Sequence, residues 1–169
     1  VDQRLLEDLR QTRSEVIEDD ARFGLGLRRF VAHDLRGAPE QPQPKDHGFD
    51  HWFSTQNNAA PSHKNPVNFV RNGKKVGLIE GYSSQIIVDE AIHWLGQRDS
   101  TKPFLLMVWL HSPHEPIATA NSFTNQYTPV ATTPEQAEYF GNVTQLDHEV
   151  GRLIEHLKRS GEFDNTVFF

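Results

Sequence analysis

Apolar positions fall into a few distinct periods along these 169 residues. Residues 1–20 are mostly charged, and Leu5, Leu6, Leu9, Val16 and Ile17 leave a thin apolar stripe at helical spacing, which predicts a helix. Brief alternation at Phe23, Leu25 and Leu27, interrupted by glycines and an arginine pair, predicts a short strand within residues 23–35. Three prolines in residues 37–44 predict an extended loop. Over residues 47–81 Phe49, Trp52, Phe53 and Phe69 are scattered among Asn, Pro, Ser and Gly, so a loop-rich insertion is expected, with a tight hairpin turn at Asn72-Gly73. Helical spacing returns at Ile87, Ala91, Trp94 and Leu95 and predicts a helix over 84–98. Ser83 or Ser84 would cap it, and Asp89 and Glu90 sit toward the positive end of its dipole.

Residues 104–110 form an unbroken apolar run, the pattern of a central strand covered on both faces of a parallel sheet. His111-Ser112-Pro113-His114-Glu115-Pro116 follows at once, and its prolines stop both ladder and helix. These side chains should therefore stand at the strand's carboxyl end, where open α/β sheets bind ligands. Thr133-Pro134-Glu135-Gln136 combines an N-cap, a first-turn proline and a capping-box glutamine. From there Phe140, Val143, Leu146, Val150, Leu153, Ile154 and Leu157 keep one apolar face until Gly161, which offers a left-handed cap. Asp164-Asn165 predicts a turn and residues 166–169 a strand, whose apolar end suggests truncation. The alternation of helix, buried strand, loop, long helix and strand is that of an α/β sandwich.

Composition narrows the partners. Asp and Glu outnumber Lys and Arg by 23 to 17 and no basic cluster occurs, so neither nucleic acid nor an anionic lipid surface is an expected partner. No cysteine is present, which excludes disulfides and cysteine-ligated metal. No run approaches the ~18 apolar residues of a membrane span, and the charged N-terminus lacks the pattern of an export signal. A mean hydropathy of -0.62 is lean for a compact domain, so part of the chain is expected to pack poorly alone.

The candidate chemistry centres on His111 and His114. Imidazole exchanges a proton near neutral pH, which suits protonating a leaving alcohol or holding an anion. Taken alone, the pair reads first as ordinary loop histidines; zinc would need a third ligand at a convincing spacing, and the sequence offers none, so no metal ligand is assigned. The stretch 54–58 (STQNN), with His63, Lys64 and Arg71, supplies amide and cationic donors suited to sugar hydroxyls and sulfates, although polar loops commonly look like this. Asp147, His148 and Glu149 are successive on a helix and diverge, so Asp147 is expected to be a structural acceptor and His148 solvated. The sequon Asn142-Val143-Thr144 lies mid-helix and is discounted.

The segment KPFLLMVWLHSPHEP resembles that of the sulfatases, members of the alkaline-phosphatase superfamily, in which a buried strand ends in a His-x-Pro-His-x-Pro turn. Residues 139–143 and 146–153 resemble the helix that follows there, residues 164–169 the strand that leads to a calcium-binding Asp-Asn pair, and His47-Gly48-Phe49-Asp50 with Trp52-Phe53 a further family block. The resemblance implies an alkaline-phosphatase-like α/β/α sandwich with a mostly parallel sheet, truncated here. It also implies hydrolysis of a sulfate ester, on a carbohydrate or a small molecule, by a formylglycine beside calcium. By its place in the motif His114 would be catalytic, with His111 its neighbour; His111 is expected to bind substrate together with His63, Lys64 and Arg71, which are read from the donor-rich loop and not from the resemblance. The Cys/Ser-x-Pro-x-Arg motif, the Asp-Asp pair, Gly-Lys-Trp-His and Asp-Asn-Gly are all missing, so calcium is expected only in a complete enzyme and the chain alone is expected to be inactive. Residues 1–37 do not resemble the family and are left unassigned; 38–169 would be a partial catalytic domain, with a loop-rich insertion at 46–82 and an α/β core at 83–169. Complete relatives are commonly exported. The rivals are a phosphatase or phosphodiesterase of the same superfamily and a noncatalytic glycan-binding module.

Overall fold

The computed structural model describes residues 43–169 except residue 56, together with the backbone of 28–34. The helix expected over 1–20 and most of the loop expected over 37–44 lie outside these residues.

Among the described residues a five-stranded mixed sheet carries the architecture. Strands β1 (Arg28–Asp34), β2 (His51–Thr55), β3 (Val70–Arg71), β4 (Lys74–Lys75) and β5 (Phe104–Val108) lie in the order β4-β3-β2-β1-β5. β1 pairs in parallel with β2 and β5, so these three strands end at one edge of the sheet. β3 and β4 form the expected hairpin at Asn72-Gly73, whose φ values of 49° and 82° are those of the tight turn that asparagine and glycine tolerate. Asn72 docks the turn on β2 by accepting from the Trp52 N–H through Oδ1 at 2.8 Å.

Helix α1 (Ser83–Gln97) buries Ile86, Ile87, Val88, Ala91, Trp94 and Leu95. Its core partners include Phe53 and Phe69, stacked at 4.5 Å, and Leu157. Tyr82, without a side-chain cap, begins the helix, and Ser83 and Ser84 fall inside the first turn because both hydroxyls are engaged elsewhere. A short helix α2 (Asn121–Thr124) precedes α3 (Pro134–Arg159). Thr133 caps α3 as expected, accepting from the Gln136 N–H at 3.2 Å, and the Gln136 side chain reaches Thr132. The helix closes with Glu162 N–H to Leu157 C=O at 2.9 Å and Gly161 N–H to Lys158 C=O at 3.1 Å around a left-handed Gly161.

Three further expectations are corrected. The strand expected over 104–110 ends at Val108 and, among the described residues, is the sheet's edge strand; its residues are half-buried and Trp109 is 48% exposed. An apolar run reports local hydrophobicity and cannot say how many neighbours a strand finds. The buried face of the first half of α3 is also rotated off the expected stripe. Phe140 and Val143 are exposed, while Ala137, Gly141, Asn142, Gln145 and Glu149 are buried. Gly141 lets α2 approach so closely that a Cβ there would lie 2.8 Å from the Thr124 backbone. Finally, residues 166–169 form no strand: Phe163–Asn165 make a 3-10 turn, and Val167, Phe168 and Phe169 lie exposed without a ladder partner among the described residues.

Candidate active site

Parallel pairing brings the carboxyl ends of β2 and β5 to the same edge, flanking β1. Across that edge His111 Nε2 meets Thr55 Oγ1 at 3.2 Å. The loop after β2 folds back over it and contributes Asn58, His63 and Phe69. The His63 and Phe69 rings lie 5.8 and 5.9 Å from the His111 ring. The start of α1 adds Ser83, which meets His63 Nδ1 at 2.9 Å, and Ser84, whose hydroxyl donates to Ser112 Oγ at 2.8 Å.

His114 caps this layer on the solvent side. Its N–H donates to the His111 carbonyl at 2.9 Å, closing the turn, and its ring is exposed. Nδ1 stands 2.6 Å from the Glu115 carbonyl oxygen, a separation at which nitrogen must be the donor. The hydrogen bond fixes the proton on Nδ1 and leaves Nε2 to exchange one. Asn58 Nδ2 lies 3.1 Å from the same Nδ1 and donates to the Glu115 carbonyl at 3.3 Å.

Beneath the turn His63 is 2% exposed, and its Nε2 is buried without a hydrogen-bond partner. Burial, reinforced by the nearby His114 imidazole and partly offset by the His114 backbone, holds the His63 pKa below 6.5. The neutral ring favoured there is a polar floor for the turn. The segment after the turn is held from α3: Asn142 Nδ2 donates to the Ala118 carbonyl at 3.1 Å, and Gln145 Oε1 accepts from the Ala120 N–H at 2.8 Å. Buried amides at helical spacing explain why α3 turns that face inward. Asn142, 2% exposed, also leaves the sequon covered.

The expected site residues divide. His63, His111 and His114 converge; Lys64 and Arg71 do not join them. Lys64 places its ammonium 5.7 Å over the Tyr82 ring. Arg71, expected to bind substrate, instead pairs bidentately with Glu90 of α1, with Nε donating at 2.6 Å, and lies over the Phe53 ring. A buried carboxylate one layer below the sheet recruits the nearest guanidinium, an attraction that the local sequence does not display. Of the polar stretch 54–58, Asn58 meets His114, whereas Ser54 is buried. Thr55 lies in the donor-rich stretch, Ser84 is an expected helix cap and Ser112 belongs to the histidine turn, but sequence assigns none of them its own role in the site, because a lone hydroxyl carries no spacing signal. His148 packs its ring edge-on against Phe123 at 5.5 Å.

No set of three or more His, Cys, Asp or Glu side chains among the described residues could hold a metal ion. Around the histidines the donors are imidazole, hydroxyl and amide groups, whereas calcium takes about six to eight oxygens, with carboxylates among them. The described residues do not fit calcium. Among them no helix is long and apolar enough to cross a membrane.

The family model described as Sulfatase matches residues 26–169, beginning within the segment that sequence alone left unassigned. The chain is 31% identical over 131 residues to the uncharacterized sulfatase YdeN of Escherichia coli (strain K12), covering 76% of this chain and 23% of that protein. It is 29% identical over 148 residues to an endo-4-O-sulfatase of Bacteroides thetaiotaomicron, covering 75% and 29%. The fold is similar to that of BT4656 in complex with its substrate D-glucosamine-2-N,6-O-disulfate, with a TM-score of 0.66 at 16% identity over 86% of this chain and 47% of that one. The chain thus spans 23% and 29% of the lengths of the two curated relatives.

Proposed function

The chain belongs to the sulfatase family, and from that premise we propose that it supplies the leaving-group side of an active site that hydrolyses sulfate esters of carbohydrates. The observation that carries this is the His114 imidazole, exposed at the carboxyl edge of the sheet with Nδ1 engaged by the Glu115 carbonyl. As an imidazolium its second proton sits on Nε2. Attack on sulfur breaks the bond from sulfur to the ester oxygen. That oxygen leaves with the bond pair and takes the Nε2 proton, so the sugar departs as an alcohol and His114 is left as its Nδ1–H tautomer. The Glu115 carbonyl favours that tautomer, so the turn stabilises the acid's product form. The attacking nucleophile belongs to residues outside this chain, which lacks Cys/Ser-x-Pro-x-Arg. Sulfated carbohydrate as the substrate class draws support from relatives such as the endo-4-O-sulfatase and BT4656 with its disulfated glucosamine.

The test is hydrolysis of sugar sulfates by the complete protein and its His114→Ala variant, with phosphate monoesters as the competing substrate. Loss of a general acid lowers kcat by about 10²–10⁴-fold. Undiminished turnover of sugar sulfates by the variant would remove His114 from the mechanism, and preferred hydrolysis of phosphate monoesters would remove sulfate as the substrate.

A further inference from the structure

We infer that Asn58 is a positioning residue for His114, itself held by Asn68, so that the loop between β2 and β3 sets the orientation of the acid in the reaction proposed above. The observation is a short chain of side-chain contacts between two loops otherwise far apart in sequence. Asn58 Nδ2 lies 3.1 Å from His114 Nδ1 and 3.3 Å from the Glu115 carbonyl. Its Oδ1 is committed on the other side, accepting from the Ala59 N–H at 3.0 Å. That fixes which end of the amide faces the histidine: the NH2 group points at the ring and the carbonyl points away.

Asn68 grips the opposite side of the same loop. Its Nδ2 donates to the Asn58 carbonyl at 2.7 Å, while its Oδ1 accepts from the Ala60 N–H at 2.8 Å. The Asn58 backbone is therefore clamped across the loop, and behind the clamp Ala59 and Phe69 are buried in the core. A side chain on so anchored a backbone can orient a neighbour.

The chemistry gives the contact a purpose. Nδ1–H and the Asn58 amide N–H are both donors, so they do not bond to each other; both are directed at the Glu115 carbonyl, and Asn58 acts on the ring by holding that oxygen where it accepts from Nδ1–H. The His114 ring is otherwise exposed. Without the amide it would rotate about χ2 or release Nδ1–H to water, and Nε2 would spend less time facing the leaving oxygen. An amide also leaves His114 able to lose its proton, whereas a carboxylate at the same place would draw Nδ1–H off the carbonyl and hold the imidazolium charged.

The test uses the complete protein with two ester classes: an aryl sulfate, whose leaving group departs as a phenolate without protonation, and a sugar sulfate, whose alkoxide must be protonated. Asn58→Ala should lower kcat on the sugar sulfate by at least about 10-fold, part of what removing a general acid costs, with little change in KM and less than 3-fold change on the aryl sulfate. Asn58→Asp keeps the acceptor for the Ala59 N–H, preserves the loop, and should show the same selectivity. Equal loss on both esters would mean a merely structural role, and no loss on either would overturn the inference. Should the wild type hydrolyse neither ester, the sulfatase proposal fails by itself. The 15N imidazole spectrum then decides Asn58: His114 should be the Nδ1–H tautomer in the wild type and a mixture in Asn58→Ala, and an unchanged tautomer would overturn the positioning role.

Discussion

Glu90 is the group whose ionisation the fold most clearly exploits. It is 5% exposed on α1, and His51 Nε2 meets its Oε1 at 2.8 Å while Arg71 grips both oxygens. Burial alone would raise the carboxyl's pKa, but the hydrogen bonds from His51 and Arg71, with their charges, overturn this and lower it from 4.5 to about 2. A depressed carboxylate stabilises the fold above the unfolded value, and the contribution is lost as pH falls through the folded one. That difference, at ~1.4 kcal/mol for each pH unit, is about 3 kcal/mol. Glu90→Gln should therefore be less stable than the wild type by about 3 kcal/mol at pH 6, and the two should converge as pH falls toward 2. Urea denaturation followed by circular dichroism at pH steps from 6 to 2 measures both curves. The half-exposed Arg71 relaxes into water in the variant, so the neutral-pH difference reads mainly the lost charge contacts. A gap between the two proteins that stays constant across the pH range would refute the argument, since it would show that Glu90 contributes by packing and not by charge.

Gly141→Ala places a methyl 2.8 Å from the Thr124 backbone, so α2 must move; a loss of about 1–3 kcal/mol, read as a lower Tm, is expected. His63, held below 6.5 by burial and by His114, should titrate below that value by NMR. Because the unfolded chain takes up this proton first, the stability linked to His63 is complete above pH 6.5 and is lost on acidification down to the folded pKa. Thr133→Ala removes the cap that accepts from Gln136 N–H and should cost about 1 kcal/mol in chemical denaturation, with no change in the His114 imidazole spectrum.

The local chemistry of the sequence determined a good deal. Asn72-Gly73 specified the hairpin, Thr133-Pro134 the start of α3 and Gly161 its end, because turns and caps are satisfied within a few residues by backbone groups whose geometry the side chain sets. The histidine turn at the end of an apolar strand was likewise legible, as were the blocks that mark the sulfatase family. Tertiary structure alone decided which strand lies at the edge among the described residues, which face of α3 is buried, and which expected donors reach the site. Arg71 answers to Glu90, 19 positions away, and His114 to Asn58, 56 positions away. Such pairings depend on how the chain returns through space, and a buried charge or amide takes whichever partner the fold delivers, so no spacing along the sequence encodes them.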